Sequence, residues 1–261
     1  MLRSVWNYRQ FVMASIRSEL LRRFARSSLG ALWFILHPLA QSAIFALVLS
    51  EVIAVKLPTV AGHAGYALYL TAGMAAWGLF SEISTRCTVV FIEYGAAMKK
   101  ISFPRLCLPL IVVGNALLHH CLLLAAIIVV FIPFGHVPGI AWSAIPLATL
   151  SIAGFAAGLG LLLGVFNVFA RDVGQVFGVA VQIWFWLTPI VYLPEVLPER
   201  FRWLAHVNPM AAPVAVYQQA LLHNAFPSWQ QFLLPVLAAL VAMAMALFIF
   251  RRASAEIVDA L

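Results

Sequence analysis

Apolar residues run along this chain in long blocks, parted by short polar stretches. A helix needs roughly 20 apolar residues, at about 1.5 Å each, to cross about 30 Å of hydrocarbon. Six blocks meet that length, near 31–55, 66–90, 106–132, 144–169, 175–193 and 231–250. Only Arg171 and Asp172 part the fourth from the fifth. There is no domain-scale repeat and no low-complexity tract. The pattern predicts an all-α polytopic membrane protein, with six transmembrane helices in one membrane domain over residues 1–261.

Two further segments have a different pattern. Across 2–26, Tyr8, Val12, Ile16, Leu20 and Phe24 recur every four residues, and Arg3, Arg9, Arg17, Arg22, Arg23 and Arg26 supply the polar side. This predicts an N-terminal amphipathic interface helix within 2–28. It would lie along the membrane surface, with its apolar face at the headgroup boundary and its arginines on lipid phosphates. The same stripe would also suit packing on a partner protein. The segment 194–230 holds Pro194, Pro198, Pro209, Pro213 and Pro227 around the apolar stretches 201–207 and 210–222. Both stretches are too short to span, which predicts short re-entrant helices or an amphipathic loop on the outer leaflet.

Composition agrees with a lipid environment. The chain is 64% hydrophobic and 10% charged, whereas soluble domains are about half apolar and a quarter charged. The formal charge of +7 does not point to nucleic acid, because the basic residues flank the apolar blocks. With the N-terminus inside, the inner side carries the six N-terminal arginines with Arg86, Lys99, Lys100, Arg105, Arg171, Arg251 and Arg252, leaving Lys56, Arg200 and Arg202 outside. That imbalance predicts two cytoplasmic termini. The polar, arginine-bearing start lacks an apolar core with a small-residue cleavage site, so no removable signal peptide is expected. Cys87, Cys107 and Cys121 show no paired spacing and read as core or lipid-facing residues.

Chemistry-bearing motifs are sparse. There is no glycine-rich phosphate loop with its lysine, no metal-spaced His/Cys/Asp/Glu set and no Ser/His/Asp nucleophile set. The chain is therefore not expected to be an enzyme or to hold a cofactor. Glu82 and Arg86 stand four apart and can pair on one helix face. Glu51 lies near the outer end of the first block. His119 and His120 point about 100° apart on a helix and read as packing or water-facing residues. Gly154, Gly158, Gly160 and Gly164, and then Gly174 and Gly178, permit close helix approach. Most tryptophans and tyrosines sit near block ends, as interfacial residues do. Trp184, Phe185 and Trp186 sit mid-block, where they suit either core packing or the wall of a sugar pore.

Five stretches in order complete the picture: RRFARSSLGALWFILHP at 22–38, the segment ending in ISFPR at 101–105, FNVFARDVGQV at 166–176, FWLTPIVY at 185–192 and HVNPM at 206–210. Together the chain resembles the permease subunit of type-2 ABC exporters, particularly those exporting O antigen, capsule or teichoic acid. The resemblance implies a homodimer joined to two nucleotide-binding ATPase subunits in the bacterial inner membrane. ATP and Mg would be held by the partner subunits, and lipid-linked polysaccharide would pass between the permeases. It implies ATPase coupling through Glu93, Tyr94, Met98, Lys99, Lys100, Phe103 and Pro104, and through Arg171 and Asp172. Outer gate helices would occupy 194–224, with Trp203, Asn208, Pro209 and Met210. Candidate glycan-channel residues are Trp33, Tyr69, Trp77, Trp184, Phe185, Trp186 and Tyr192. Arg22, Arg23 and Arg26 would attract the lipid pyrophosphate. Rival readings are a type-2 exporter of a small lipid or drug, and a secondary transporter.

Overall fold

The structure is a computed structural model that describes residues 6–25, 62–100, 103–132, 135, 137–194, 198–254 and 256–257, with isolated positions at 33, 36, 40, 41 and 44. Apart from those positions, the predicted first span lies outside the described residues. The described elements are α1 (Arg9–Ala25), α2 (Gly62–Glu93), α3 (Gly95–Lys100), α4 (Cys107–Phe131), a 3-10 turn (Ile140–Ala144), α5 (Ile145–Phe169), α6 (Asp172–Leu187), α7 (Glu199–Val207), α8 (Ala211–His223) and α9 (Gln230–Ala253).

Three segments among the described residues are long and apolar enough to cross a membrane: Cys107–Phe131, Ile140–Phe169 and Gln230–Ala253. They coincide with the predicted third, fourth and sixth blocks. The 32 residues of α2 are also long enough, but its second half is polar. Its hydroxyls stay on their own helix: Ser84 donates to the Phe80 carbonyl at 2.7 Å, Thr85 to Ser81 at 2.6 Å and Thr88 to Ser84 at 2.8 Å. Back-bonding of this kind lets Ser and Thr sit in a buried helix at little cost. The predicted fifth block, 175–193, needs correction. Its helix stops at Leu187, and Thr188 is extended at φ −100° and ψ 134°. Pro189 follows Thr188, and a residue before proline is driven out of the helical region.

Glycines on α5 set the packing order. A Cβ on Gly158 would stand 2.6 Å from the Met243 nitrogen of α9, and one on Gly160 would stand 2.7 Å from the Ser84 oxygen of α2. Gly154 faces Ala239, and Gly164 faces the Cys87 carbonyl oxygen. The small-residue patterns therefore serve two faces of one helix, 154/158 toward α9 and 160/164 toward α2. Partner numbers rise together on both faces, so α2, α5 and α9 run parallel. Gly178 meets nothing within 4 Å, whereas a Cβ on Gly174 would stand 3.1 Å from the Asn167 amide of α5, so only Gly174 of the second pattern makes a close approach.

Helix α1 carries its stripe inward. Ile16 is buried, Val12 and Leu20 are half-buried, and Tyr8 is exposed. Phe11 packs on Phe103 with ring centroids 5.5 Å apart. A Cβ on Gly114 of α4 would overlap Ile16 Cδ1. Part of the face expected at the headgroup boundary is thus covered by the chain's own α4. Gly114→Ala is expected to push α1 off α4, and Ile16→Ala in the same chain is expected to let it return. Spin labels at Met13 and Leu118, both exposed, measure this; a distance unmoved by Gly114→Ala would refute the contact.

Helix α8 falls on the apolar stretch 210–222, for which the sequence predicts a short re-entrant helix or an amphipathic loop. It is 13 residues long and buries Val214, Val216, Tyr217, Gln218, Ala220 and Leu221, seated among α2, α5, α9 and the 3-10 turn. The Tyr217 hydroxyl meets His120 at 2.7 Å and Thr149 at 2.5 Å. A short helix at this depth is tolerated because its polar groups are satisfied by protein.

Candidate functional site

Because α2, α5 and α9 run parallel, their C-terminal ends gather on one side, where Phe91 stacks on Phe250 at 5.9 Å. That end carries both predicted coupling pieces. Glu93, Tyr94, Lys99, Lys100, Arg171 and Asp172 are exposed there, and so are Arg251 and Arg252. Met98 is buried and anchors α3, while Phe103 and Pro104 are half-buried. Asn167 of α5 joins α2, α5 and α6. Its Nδ2 donates to the Thr88 carbonyl at 3.0 Å, and its Oδ1 accepts from the Gly174 amide at 2.8 Å. It thereby ties the start of α6, just after the Arg171-Asp172 turn, to α2 and α5.

Further along α2 and α6 lies an open groove of about 600 Å³. Trp77, Phe185 and Trp186 supply aromatic faces, Met74 and Val181 apolar ones, and Gln41, Ser81, Glu82 and Gln182 polar groups. Trp77 and Phe185 meet edge to face at 5.8 Å, as do Phe185 and Trp186 at 5.5 Å. Gly78 has nothing within 4 Å of where a Cβ would stand, which keeps the groove open. Trp186 is 57% exposed and Trp77 is buried.

The remaining predicted channel residues lie elsewhere. Trp184 turns from the groove into the packing, against Phe80 at 5.2 Å and Phe155 at 6.1 Å, and its indole N–H donates to Asn208 at 3.0 Å. Tyr69 donates to the Tyr192 carbonyl at 3.2 Å, and Tyr66 to the Val191 carbonyl at 2.6 Å. These bonds satisfy the backbone of the loop that α6 leaves behind. Tyr192 in turn donates to the Trp186 carbonyl at 3.1 Å. Trp33 is exposed.

Glu82, on the groove wall, belongs to a polar cluster tying three helices together. Arg86 donates to Glu82 at 3.3 Å and to Glu19 of α1 at 2.6 Å. Asn115 donates to the second oxygen of Glu19 at 2.6 Å, and His119 Nδ1 lies 3.0 Å from Glu82. The i, i+4 pair was legible in the sequence, whereas Glu19, Asn115 and His119 were not. Arg22 and Arg23 fall in α1 but their side chains lie outside the described residues, as does Arg26 altogether.

At the far end, Asn208 organises the turn before α8. Its Oδ1 accepts from Trp184 and from the Met210 amide at 3.0 Å, and its Nδ2 donates to the Thr188 hydroxyl at 2.9 Å. Met210 is buried, Pro209 half-buried and Trp203 exposed.

Helices of this length and apolarity, with a groove along them and an exposed basic end, define a multi-pass helical membrane protein of transporter type. The chain belongs to the ABC-2 type transporter family, whose model matches residues 10–222. Members of this family are the membrane subunits of ABC transporters, which work with ATPase subunits. Two O-antigen export system permease proteins RfbA of Klebsiella pneumoniae are each 28% identical over 203 residues, covering 77% of this chain and 76% of theirs. The RfbA of Myxococcus xanthus is 24% identical over 265 residues, covering 100% of this chain and 99% of its own.

Proposed function

We propose that this chain is the transmembrane subunit of an ATP-driven exporter of lipid-linked polysaccharide such as O antigen. The observation carrying this is the groove between α2 and α6, where aromatic faces stand beside neutral and acidic hydrogen-bonding groups. A long hydrophilic glycan cannot dissolve in hydrocarbon and needs a lined path. Aromatic rings offer sequence-tolerant contact with the apolar C–H faces of sugars, and carboxamides and carboxylates bond their hydroxyls. The names of the relatives support the same cargo.

In this reading the protein has six spans and both termini in the cytoplasm of a bacterial inner membrane. Two copies pair across the glycan path, and each engages one ATPase subunit through the end carrying α3 and Arg171-Asp172. ATP and Mg reside on those partners. The exposed apolar face of α6, with Val176, Val179 and Ile183, suits contact with lipid or the second copy. Helices α7 and α8 act as the outer gate, and the α1 arginines receive the lipid phosphate.

Deleting the gene is expected to remove surface polysaccharide and leave drug sensitivity unchanged; intact glycan in the deletion strain would end this reading. Trp186→Ala is expected to slow export severalfold with normal membrane levels, and Trp186→Phe to retain most of it. The rate at which labelled glycan reaches the cell surface measures both, and full export by Trp186→Ala would remove the groove from the path.

A further inference from the structure

We infer that a second cleft, about 590 Å³ in volume and lying between α7, α8 and the start of α9, is a separate binding subsite for neutral, polyhydroxylated sugar. The inference rests on the exporter reading, since it gives the same cargo a second resting place. The cleft lies beyond the groove. It is walled by the first residues of α9, and the exposed Arg251 closes the other end of that helix, so the two ends stand about 32 Å apart along the axis. A glycan leaving the groove toward the end remote from the coupling face would meet this cleft.

The lining decides the ligand class. Gln219, Gln230 and Gln231 bring three carboxamides together with Ser228 and His206, and prolines and alanines supply much of the rest. Among the described residues no Asp, Glu, Lys or Arg lines it. A carboxamide offers donor and acceptor side by side, matching the paired hydroxyls of a sugar ring. A phosphate would call for guanidinium or ammonium groups, and a cationic ligand for carboxylates. The volume is that of a small-ligand cleft, roughly 300–1,000 Å³.

Two details separate this wall from a chance gathering of polar residues. Asn208 also lines the cleft, but its amide is spent on Trp184, Thr188 and Met210, so it holds the wall rather than the ligand. Gln231 is the reverse, because its Oε1 is buried without a hydrogen-bond partner. An unpaired buried acceptor is costly, and a sugar hydroxyl seated in the cleft would satisfy it. Neutral contacts of this kind are individually weak, which suits a site that must release its cargo.

The test uses the intact permease–ATPase complex in lipid nanodiscs. Ser228, exposed at the cleft, is replaced by cysteine in a Cys121→Ser background, since Cys121 is the exposed native thiol. The probe is surface polysaccharide from the parent strain, cut from its lipid by mild acid. Added probe is expected to slow maleimide labelling of the new thiol at least threefold. Gln219→Leu and Gln231→Leu, made singly so that at least one folds, are each expected to raise the half-protecting concentration about tenfold. Absent protection, or a half-protecting concentration in both leucine variants equal to that of the parent, overturns the subsite. Loss of surface glycan on gene deletion tests the exporter reading independently, so the two failures are distinguishable.

Discussion

Replacing Asn208 with leucine is expected to leave little folded permease in the membrane. One carboxamide accepts from the Trp184 indole and the Met210 amide, and donates to Thr188. It thereby fixes the end of α6 to the start of α8. Leucine has nearly the same volume and can answer none of these groups. Orphaning a buried polar group costs about 1–3 kcal/mol, so two stranded donors amount to about 3–5 kcal/mol. That is a large share of the about 5–15 kcal/mol typical of a folded domain. Asn208→Asp keeps the oxygen that receives Trp184 and Met210, and is expected to fall between wild type and Asn208→Leu. Size-exclusion recovery after graded heating in detergent ranks the three. Equal recovery for Asn208→Leu and wild type would show that the turn does not depend on this side chain.

The second large effect concerns Arg86. Its guanidinium stands between Glu19 and Glu82, so Arg86→Met leaves two carboxylates facing each other beside His119. Removing one partner of a buried ion pair costs about 3–5 kcal/mol. Arg86 keeps 26% exposure, so solvent screening brings the expected cost to about 2–3 kcal/mol. The sign of the compensation is diagnostic. Arg86→Met combined with Glu19→Gln and Glu82→Gln removes the uncompensated charges and is expected to recover most of the loss, because neutral amides still reach Asn115 and His119. If the triple variant is no better than Arg86→Met, the guanidinium acts through packing rather than charge. Urea titration of the solubilised permease, followed by tryptophan fluorescence, measures the series.

Asn208 and Arg86 also mark what sequence reasoning reached. Asn208 stands inside HVNPM, a segment that resembles an outer gate, yet nothing in the sequence connects it to Trp184. Arg86 was paired correctly with Glu82, four residues away on the same helix, but Glu19 lies 67 residues distant and comes from α1. Trp184 and Trp186 look equivalent in the string IWFWL. In the structure one is locked into the core and the other lines the groove, because residues two apart on a helix point in widely different directions. The groove aromatics Trp77, Phe185 and Trp186 stand out in the sequence, whereas the amide-lined cleft does not. Its glutamines come from α8 and α9, and each alone looks like an ordinary polar residue.

The sequence by itself determined that this chain is helical and bound for lipid, and where several of its long helices run. Both facts follow from block length and local periodicity, which report only on neighbours a few residues apart. It also marked two charged pieces, 93–105 and 171–172, because charge between apolar blocks has to reach water. Only the tertiary structure decided that Gly158 meets α9 while Gly160 meets α2, that the loop after Leu187 is capped by Tyr66 and Tyr69, and that α8 is seated inside the bundle. Those outcomes depend on which helix faces which and at what register. Contacts between residues some hundred positions apart, such as Tyr66 with Val191, leave no periodic trace in the chain that makes them.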